Sequence, residues 1–219
     1  MKRSPIQNGD YCHIYNRGTD KRDVFLCQSD YIRFIESVRE FNQKLPIGSL
    51  FKKRQSSRSS NSGPTAPKAV GPLFEPLVEI NAYCFNSNHY HFILKQVGGN
   101  GISEFMKRLA GGYTWYFNSK YDRSGSLFQG KYQYSIIKDT YRLMWLSAYV
   151  NCNYEIHKFG NAINWQWSSY LDYLEKRNGS LCNKKFILSE FNSFTEYIEF
   201  CKYVIKEAQD IKKVQKYLK

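Results

Sequence analysis

The segment at residues 78–94, VEINAYCFNSNHYHFIL, constrains the fold more than any other part of the chain. It is rich in β-branched and aromatic residues, and residues 86–88 form a polar break at its centre. These features predict two short antiparallel strands joined by a turn. Residues two apart on a strand point to the same side, so His89 and His91 are expected on one face, close enough to bind one metal ion. An isolated His-x-His pair is also explained as ordinary surface or core polarity.

The elements before this hairpin are a strand and a helix. Residues 10–16 (DYCHIYN) read as the strand, and residues 29–43 carry apolar side chains at helical spacing. Ser29 or Asp30 is expected to cap the start of the helix, because both side chains accept hydrogen bonds from free backbone N–H groups.

The elements after the hairpin are a helix, a strand and a second helix. The first helix is expected to begin at Ser103, the strand lies within residues 127–138, and the second helix covers residues 139–160 with Asp139 as its cap. The resulting order, βαββαβ, predicts an α+β fold: a ferredoxin-like antiparallel sheet with helices on one face.

A segment at about residues 46–76 lies between the first helix and the hairpin. Ser, Gly, Pro and basic residues dominate it, which predicts a long, flexible, basic insertion. One strand and one helix do not form a stable unit alone, so the insertion interrupts a single domain over residues 1–175. Residues 176–219 are expected to form a basic, helical C-terminal extension.

The charge balance favours a nucleic-acid partner. The chain has 32 Lys and Arg against 19 Asp and Glu, a net charge of +13, with 18 Tyr and 15 Phe. Cations neutralise phosphates and aromatic rings stack on unpaired bases, although an ordinary basic protein has a similar composition. No apolar run approaches a membrane span, and none of the six cysteines forms a C-x-x-C pair, so we expect a cytoplasmic protein with reduced thiols.

The helix at residues 139–160 carries the second group of candidate residues. Tyr149 and Asn153 are four residues apart and share one helix face. An Asn carbonyl can complete a metal site begun by two imidazoles, and a nearby Tyr hydroxyl can be a nucleophile. The alternative is that Tyr149 is a core aromatic residue. His157, one turn further, is a candidate base on spacing or a solvent-facing residue near the helix end.

Several segments together resemble the REP-associated tyrosine transposases of the single-tyrosine HUH nuclease superfamily. Their HUH-motif segment is similar to NAYCFNSNHYHFILKQ, and their first-strand signature, YHVYNRG, is similar to YCHIYNRG. Their pattern F-Q-x-x-Y before a helix ending in Y-I-x-x-N-P resembles LFQGKYQYSIIKDTYRLMWLSAYVNCN, and their W-x-x-SS-Y element resembles WQWSSY. The matches occur in this order over residues 11–173. The departures are Tyr154 in place of Pro, Tyr90 between the histidines, Asn-Ser-Asn before them and a long insertion after the first helix, and none removes a reacting group.

The resemblance implies a metal-dependent single-stranded DNA endonuclease and strand transferase, with residues 1–175 as its HUH-type domain. Its reaction would cleave and rejoin DNA next to a hairpin through a 5′-phosphotyrosine intermediate. It implies Tyr149 as the nucleophile and His89, His91 and Asn153 as ligands of Mg²⁺ or Mn²⁺. The partner would be single-stranded or hairpin DNA, without a membrane. The protein would be a monomer or homodimer in a bacterial or archaeal cytoplasm, close to the nucleoid.

Basic side chains in three regions are expected to contact this DNA. They are Arg17, Lys52, Lys53, Arg54, Lys131, Lys138, Lys212 and Lys213. For the insertion and the C-terminal helix, a solvated basic surface that binds nothing remains the alternative.

Two other functions fit the same fold. One is a non-catalytic single-stranded nucleic-acid-binding protein. The sequence has no RNP1-like string, which argues against this function. The other is a metal-dependent hydrolase that uses water as the nucleophile, for which further clustered acidic residues or histidines would be expected.

Overall fold

The computed structural model describes residues 4–45 and 75–217. The predicted insertion, apart from residues 75 and 76, lies outside the described residues, as do Lys52, Lys53 and Arg54. Among the described residues, every helix is too short or too polar to cross a membrane.

The predicted sheet is confirmed. Its strands are β1 (Tyr11–Arg17), β2 (Val78–Asn86), β3 (His89–Gln96) and β4 (Gln133–Ile137), all paired antiparallel in the order β2-β3-β1-β4. This is the order of a ferredoxin-like sheet, in which the two outer strands do not follow each other in sequence. The hairpin turn lies at residues 87–88, within the predicted polar break.

The helices cover both faces of the sheet. They are α1 (Gln28–Phe41), α2 (Gly101–Lys120), α3 (Thr140–Asn151), α4 (Asn153–Ile156), α5 (Tyr170–Tyr173), α6 (Lys185–Ser189) and α7 (Phe194–Tyr217). The two helices of the βαββαβ unit, α1 and α2, share one core on one face, as predicted. A second core joins α3 and α7 to the other face, because Ala82, Cys84 and Ile93 make that face apolar too.

Side chains at two helix starts explain where the helices begin. The cap predicted at Ser29 or Asp30 is wrong in position, because Cys27 is the N-cap of α1; Asp30, in the first turn, accepts hydrogen bonds from the backbone N–H groups of Cys27 and Leu26, at 3.2 and 2.8 Å. The start predicted for α2 at Ser103 is wrong, because α2 begins at Gly101. The Gln96 Oε1 atom accepts from the Ile102 N–H at 3.0 Å, and this contact from the preceding strand caps the earlier start.

The helix predicted over residues 139–160 is interrupted. Asp139 caps α3 by accepting from the Arg142 N–H at 2.7 Å, as predicted. The continuous helix is wrong because α3 ends at Asn151 and Cys152 leaves helical geometry, with φ −99° and ψ 13°. The break coincides with tertiary hydrogen bonds of Asn151, which donates to the Tyr197 hydroxyl at 2.7 Å and accepts from Ser169. Residue 153 therefore begins a separate short helix.

A buried ion pair holds the segment after α5 in place. Arg177 donates to both carboxylate oxygens of Asp172, each at 2.7 Å, and Asp172 is 1% exposed.

We expect Asp172→Asn to lower the free energy of unfolding by about 3 kcal/mol, because it leaves a guanidinium without its buried partner. Urea denaturation measures this effect. Asp210→Asn, which breaks an exposed pair with Lys213, should change it by less than about 0.5 kcal/mol. Equal effects in both variants would contradict the prediction.

Candidate active site

The register of β1 and β3 places the two histidines of the hairpin on one face of the sheet. His91 lies opposite Tyr15 and His89 opposite Arg17, so all four side chains project to the same side. This is the face that α3 and α7 cover. The prediction that His89 and His91 share a face is therefore confirmed.

A cavity of about 610 Å³ opens over these residues. It is lined by Tyr15, Asn16, Arg17, Lys21, Asn88, His89, His91, Gln129, Gln133, Tyr149, His157, Phe159 and Lys212. Three of these side chains are cationic, and among the described residues that line the cavity no carboxylate balances them. The cavity is therefore suited to an anionic ligand.

Tyr149 on α3 faces the imidazoles across this cavity. Its ring centroid lies 5.9 Å from that of His91 and 6.3 Å from that of His13, and its ring stacks on Trp145 at 5.4 Å. The side chain is half-buried: it packs against the second core and also lines the cavity. Burial raises the pKa of the phenol, and the Asn153 side chain offsets part of this rise.

The hydrogen bonds of His89 fix which ring nitrogen carries the proton. Asn88 Nδ2 donates to the Lys21 carbonyl at 3.2 Å, so Asn88 Oδ1 is the atom that faces His89 Nδ1 at 2.6 Å. An amide oxygen only accepts, so His89 Nδ1 carries the hydrogen and Nε2 keeps its electron pair. Burial also lowers the pKa of His89, which favours the neutral imidazole.

Asn153 places a second electron pair beside that nitrogen. Its Oδ1 lies 3.1 Å from His89 Nε2, and Asn86 Nδ2 lies 2.7 Å from this oxygen and 2.9 Å from the nitrogen. The Asn86 amide is within hydrogen-bond distance of both acceptors, so a cation bound at His89 Nε2 would replace Asn86 at that nitrogen and leave its bond to Asn153 in place. Asn153 Nδ2 is buried without a hydrogen-bond partner among the described residues. A buried donor without a partner lowers the stability of the fold, so Asn153 is not placed here for stability alone.

His91 has its own partner in the first strand. Its Nδ1 lies 2.9 Å from His13 Nε2, and the two rings stack with centroids 5.1 Å apart. Burial lowers the pKa of His13 to about 4 and that of His91 well below its usual value. Both rings are therefore neutral and share one hydrogen. If His91 donates it, His91 Nε2 is left with a free electron pair.

His157 completes a cluster of all four histidines of the chain. Its ring lies 4.8 Å from that of His89, and burial, followed by the charge of Lys212, lowers its pKa to about 3. The side chain is half-buried and lines the cavity, so it is neither fully solvent-facing nor part of the core.

The two imidazoles and the amide oxygen are donor atoms of the kinds that bind divalent cations. The described residues hold no group of three or more His, Cys, Asp or Glu side chains arranged around a metal ion. A cation at this place would therefore depend on the electron pairs of His89, His91 and Asn153. Neutral nitrogen and oxygen donors suit Mn²⁺, and a small set of ligands leaves positions open for phosphate oxygens.

The residues predicted to bind DNA separate into two groups. Arg17 and Lys212 line the cavity. Lys131 is exposed beside a second cavity of about 310 Å³. Lys138 follows β4 at the end opposite Gln133, the β4 residue that lines the cavity. Lys213 is exposed, and its Nζ lies 2.8 Å from a carboxylate oxygen of Asp210. The structure thus brings two of these cations to the candidate site and leaves three away from it.

His13, Tyr15 and Asn86 are members of the site that the sequence did not indicate. The first two alternate with Arg17 along β1, a pattern that places them on one face. Nothing local indicated that this face meets the histidine pair. Asn86 was assigned only to the turn, although its amide also faces back along the sheet toward His89.

One segment of the chain, which carries most of the candidate site, is similar to a known protein family. Residues 75–153 match the family model described as "Transposase IS200 like", and this segment contains His89, His91, Tyr149 and Asn153. The match covers about a third of the chain, and over that segment the chain resembles the IS200-like transposases, in line with the sequence motifs.

Among solved structures, the chain is similar to one titled "Structure of the REP associates tyrosine transposase bound to a REP hairpin". The two share 15% sequence identity and a TM-score of 0.49, over 84% of this chain and 93% of that chain. No curated protein matches the chain.

Proposed function

We propose that this chain is a metal-dependent endonuclease and strand transferase that cleaves and rejoins single-stranded DNA next to a hairpin, through a 5′-phosphotyrosine intermediate. The observation that carries the proposal is the position of Tyr149. Its phenol shares one cationic cavity with His89 and His91, 5.9 Å from the His91 ring between centroids. The hairpin substrate rests on the motif resemblance over residues 11–173.

The cation, Mg²⁺ or Mn²⁺, would bind His89, His91 and Asn153. When bound, it supplies positive charge that stabilises the negative charge developing on the scissile phosphate. The protein holds the three donors in place: Asn88 orients His89, Asn86 orients Asn153, and His13 orients His91.

The reaction is a transesterification at phosphorus. The Tyr149 oxygen forms a bond to phosphorus as its proton leaves, and the bond from phosphorus to the 3′ oxygen breaks. The 3′ oxygen takes up a proton and departs as a 3′-hydroxyl, while the 5′-phosphate stays on Tyr149. Attack by a 3′-hydroxyl reverses the step and reseals a strand. One phosphodiester replaces another, so no nucleotide cofactor is required.

The test uses hairpin DNA with a single-stranded flank, labelled at its 3′ end, because the protein would attach to the 3′ fragment. After incubation with Mn²⁺, a denaturing gel separates the outcomes. A labelled protein band supports the proposal. Cut DNA without such a band indicates a hydrolase, and uncut DNA that nevertheless shifts on a native gel indicates the non-catalytic binding protein.

His13 provides a prediction about the metal that does not depend on cleavage. We expect His13→Phe to weaken Mn²⁺ binding by roughly 10-fold, because His91 loses the partner that orients its ring. Isothermal titration of the protein with Mn²⁺ measures the change. His13→Gln keeps a hydrogen-bonding group and should lose less. Ser135→Ala, opposite His13 on β4, should bind Mn²⁺ as the unmodified protein does. Unchanged binding by His13→Phe would remove His13 from this role.

A further inference from the structure

Lys212 on α7 reaches the tyrosine from the C-terminal part of the chain. Its Nζ atom lies over the Tyr149 ring, 5.8 Å from the centroid, and its side chain lines the same cavity as His89. From the sequence, Lys212 is expected either to contact DNA or to lie on a solvated helix face. The structure instead places it beside the proposed nucleophile.

The helix that carries Lys212 is fixed against the rest of the site. The Trp145 indole N–H donates to Glu207 Oε2 at 2.5 Å, and Gln209 Nε2 donates to the Glu155 carbonyl at 3.1 Å. Trp145 is also the residue on which Tyr149 stacks. The contacts that hold α7 therefore also position Lys212 relative to the phenol.

The Lys212 ammonium has no counter-ion in the structure described here. Its Nζ is buried and makes no hydrogen bond to any described residue, and the described residues that line the cavity include no Asp or Glu. Burial lowers its pKa to about 8, so most of the molecules still carry the charge at pH 7. A buried cation without a counter-ion is unfavourable for folding, which indicates that an anion arrives with the ligand.

We propose that Lys212 is a further catalytic residue, whose ammonium binds a non-bridging oxygen of the scissile phosphate while Tyr149 attacks it. This inference rests on the proposed function and adds a residue to it. Lys212 stays protonated and forms no covalent bond; it neutralises charge that builds on the phosphate oxygens as the new bond forms. The C-terminal helix then belongs to the catalytic unit, because the site is incomplete without it.

The experiment compares variants of the full chain under single-turnover conditions with saturating Mn²⁺ and the 3′-labelled hairpin. Lys212→Gln is expected to slow adduct formation by about 100-fold, with the Kd for the DNA changed by no more than a few-fold. Lys212→Arg keeps the charge and should recover most of the rate. The control is Lys202→Gln, an exposed lysine on the same helix that pairs with Glu199, and its rate should be unchanged.

The thermal stability of the variants separates a catalytic role from a structural one. Lys212→Gln removes an unpartnered buried charge, so its Tm should equal or exceed that of the unmodified protein. Three results would overturn the role of Lys212 alone: an unchanged rate, a loss of rate matched by an equal loss of DNA affinity, or a lowered Tm without recovery by Lys212→Arg. If the unmodified protein itself forms no adduct, the proposed function fails and this role fails with it.

Discussion

Tyr149→Phe is expected to abolish the covalent protein–DNA adduct, with a loss of roughly 1,000-fold or more in the rate of cleavage. The substitution removes only the hydroxyl, because a phenylalanine ring can keep the stacking contact with Trp145. The Kd for hairpin DNA should therefore stay within a few-fold of the original value. Adduct formation is measured on denaturing gels with 3′-labelled DNA, and binding by fluorescence anisotropy.

Tyr15 supplies the matched control for that experiment. It is a second phenol in the same cavity, 40% exposed, with its ring 5.7 Å from that of His91. Tyr15→Phe is expected to retain the adduct. An adduct that survives in Tyr149→Phe and disappears in Tyr15→Phe would move the nucleophile from α3 to β1.

The second large effect is expected at the metal ligands. His91→Ala should weaken Mn²⁺ binding by more than about 100-fold. Removing a residue that only orients a metal ligand already lowers metal affinity by about 10- to 100-fold, and removing a ligand should lower it further. Cleavage at a fixed, moderate Mn²⁺ concentration should fall accordingly. Titration calorimetry measures the binding, and a cleavage assay across Mn²⁺ concentrations tests whether excess metal restores part of the activity.

His157→Ala is the control for the ligand assignment. His157 lies in the same cavity and close to His89, yet it is not among the three proposed ligands. Its removal should change Mn²⁺ affinity by a few-fold at most. If His157→Ala loses the metal and His91→Ala keeps it, the proposed ligand set is wrong.

Local patterns predicted the hairpin and the candidate site residues that lie on it. The turn at residues 87–88 and the shared face of His89 and His91 depend only on a polar break between two β-rich segments and on strand alternation. The sheet order followed from the order of the elements along the chain. Tyr149 and Asn153 were found through their spacing and the motif resemblance, although the helix between them breaks at Cys152.

Long-range packing decided what local patterns did not predict. His13 meets His91 through the register of two strands that are far apart in sequence. Lys212 enters the cavity because α7 packs on α3, a contact that includes the bond between Trp145 and Glu207. In the sequence, Lys212 is one of several lysines in a basic helix, and nothing local separates it from Lys213.

Mapping the attachment site of the nucleotide tests the central claim most directly. The unmodified protein is incubated with hairpin DNA and Mn²⁺, the adduct is digested with nuclease and protease, and the peptides are sequenced by mass spectrometry. We expect a 5′-phosphorylated nucleotide on the phenol oxygen of Tyr149. A nucleotide on Tyr15 or any other residue, or cleaved DNA with no modified peptide, would contradict the mechanism.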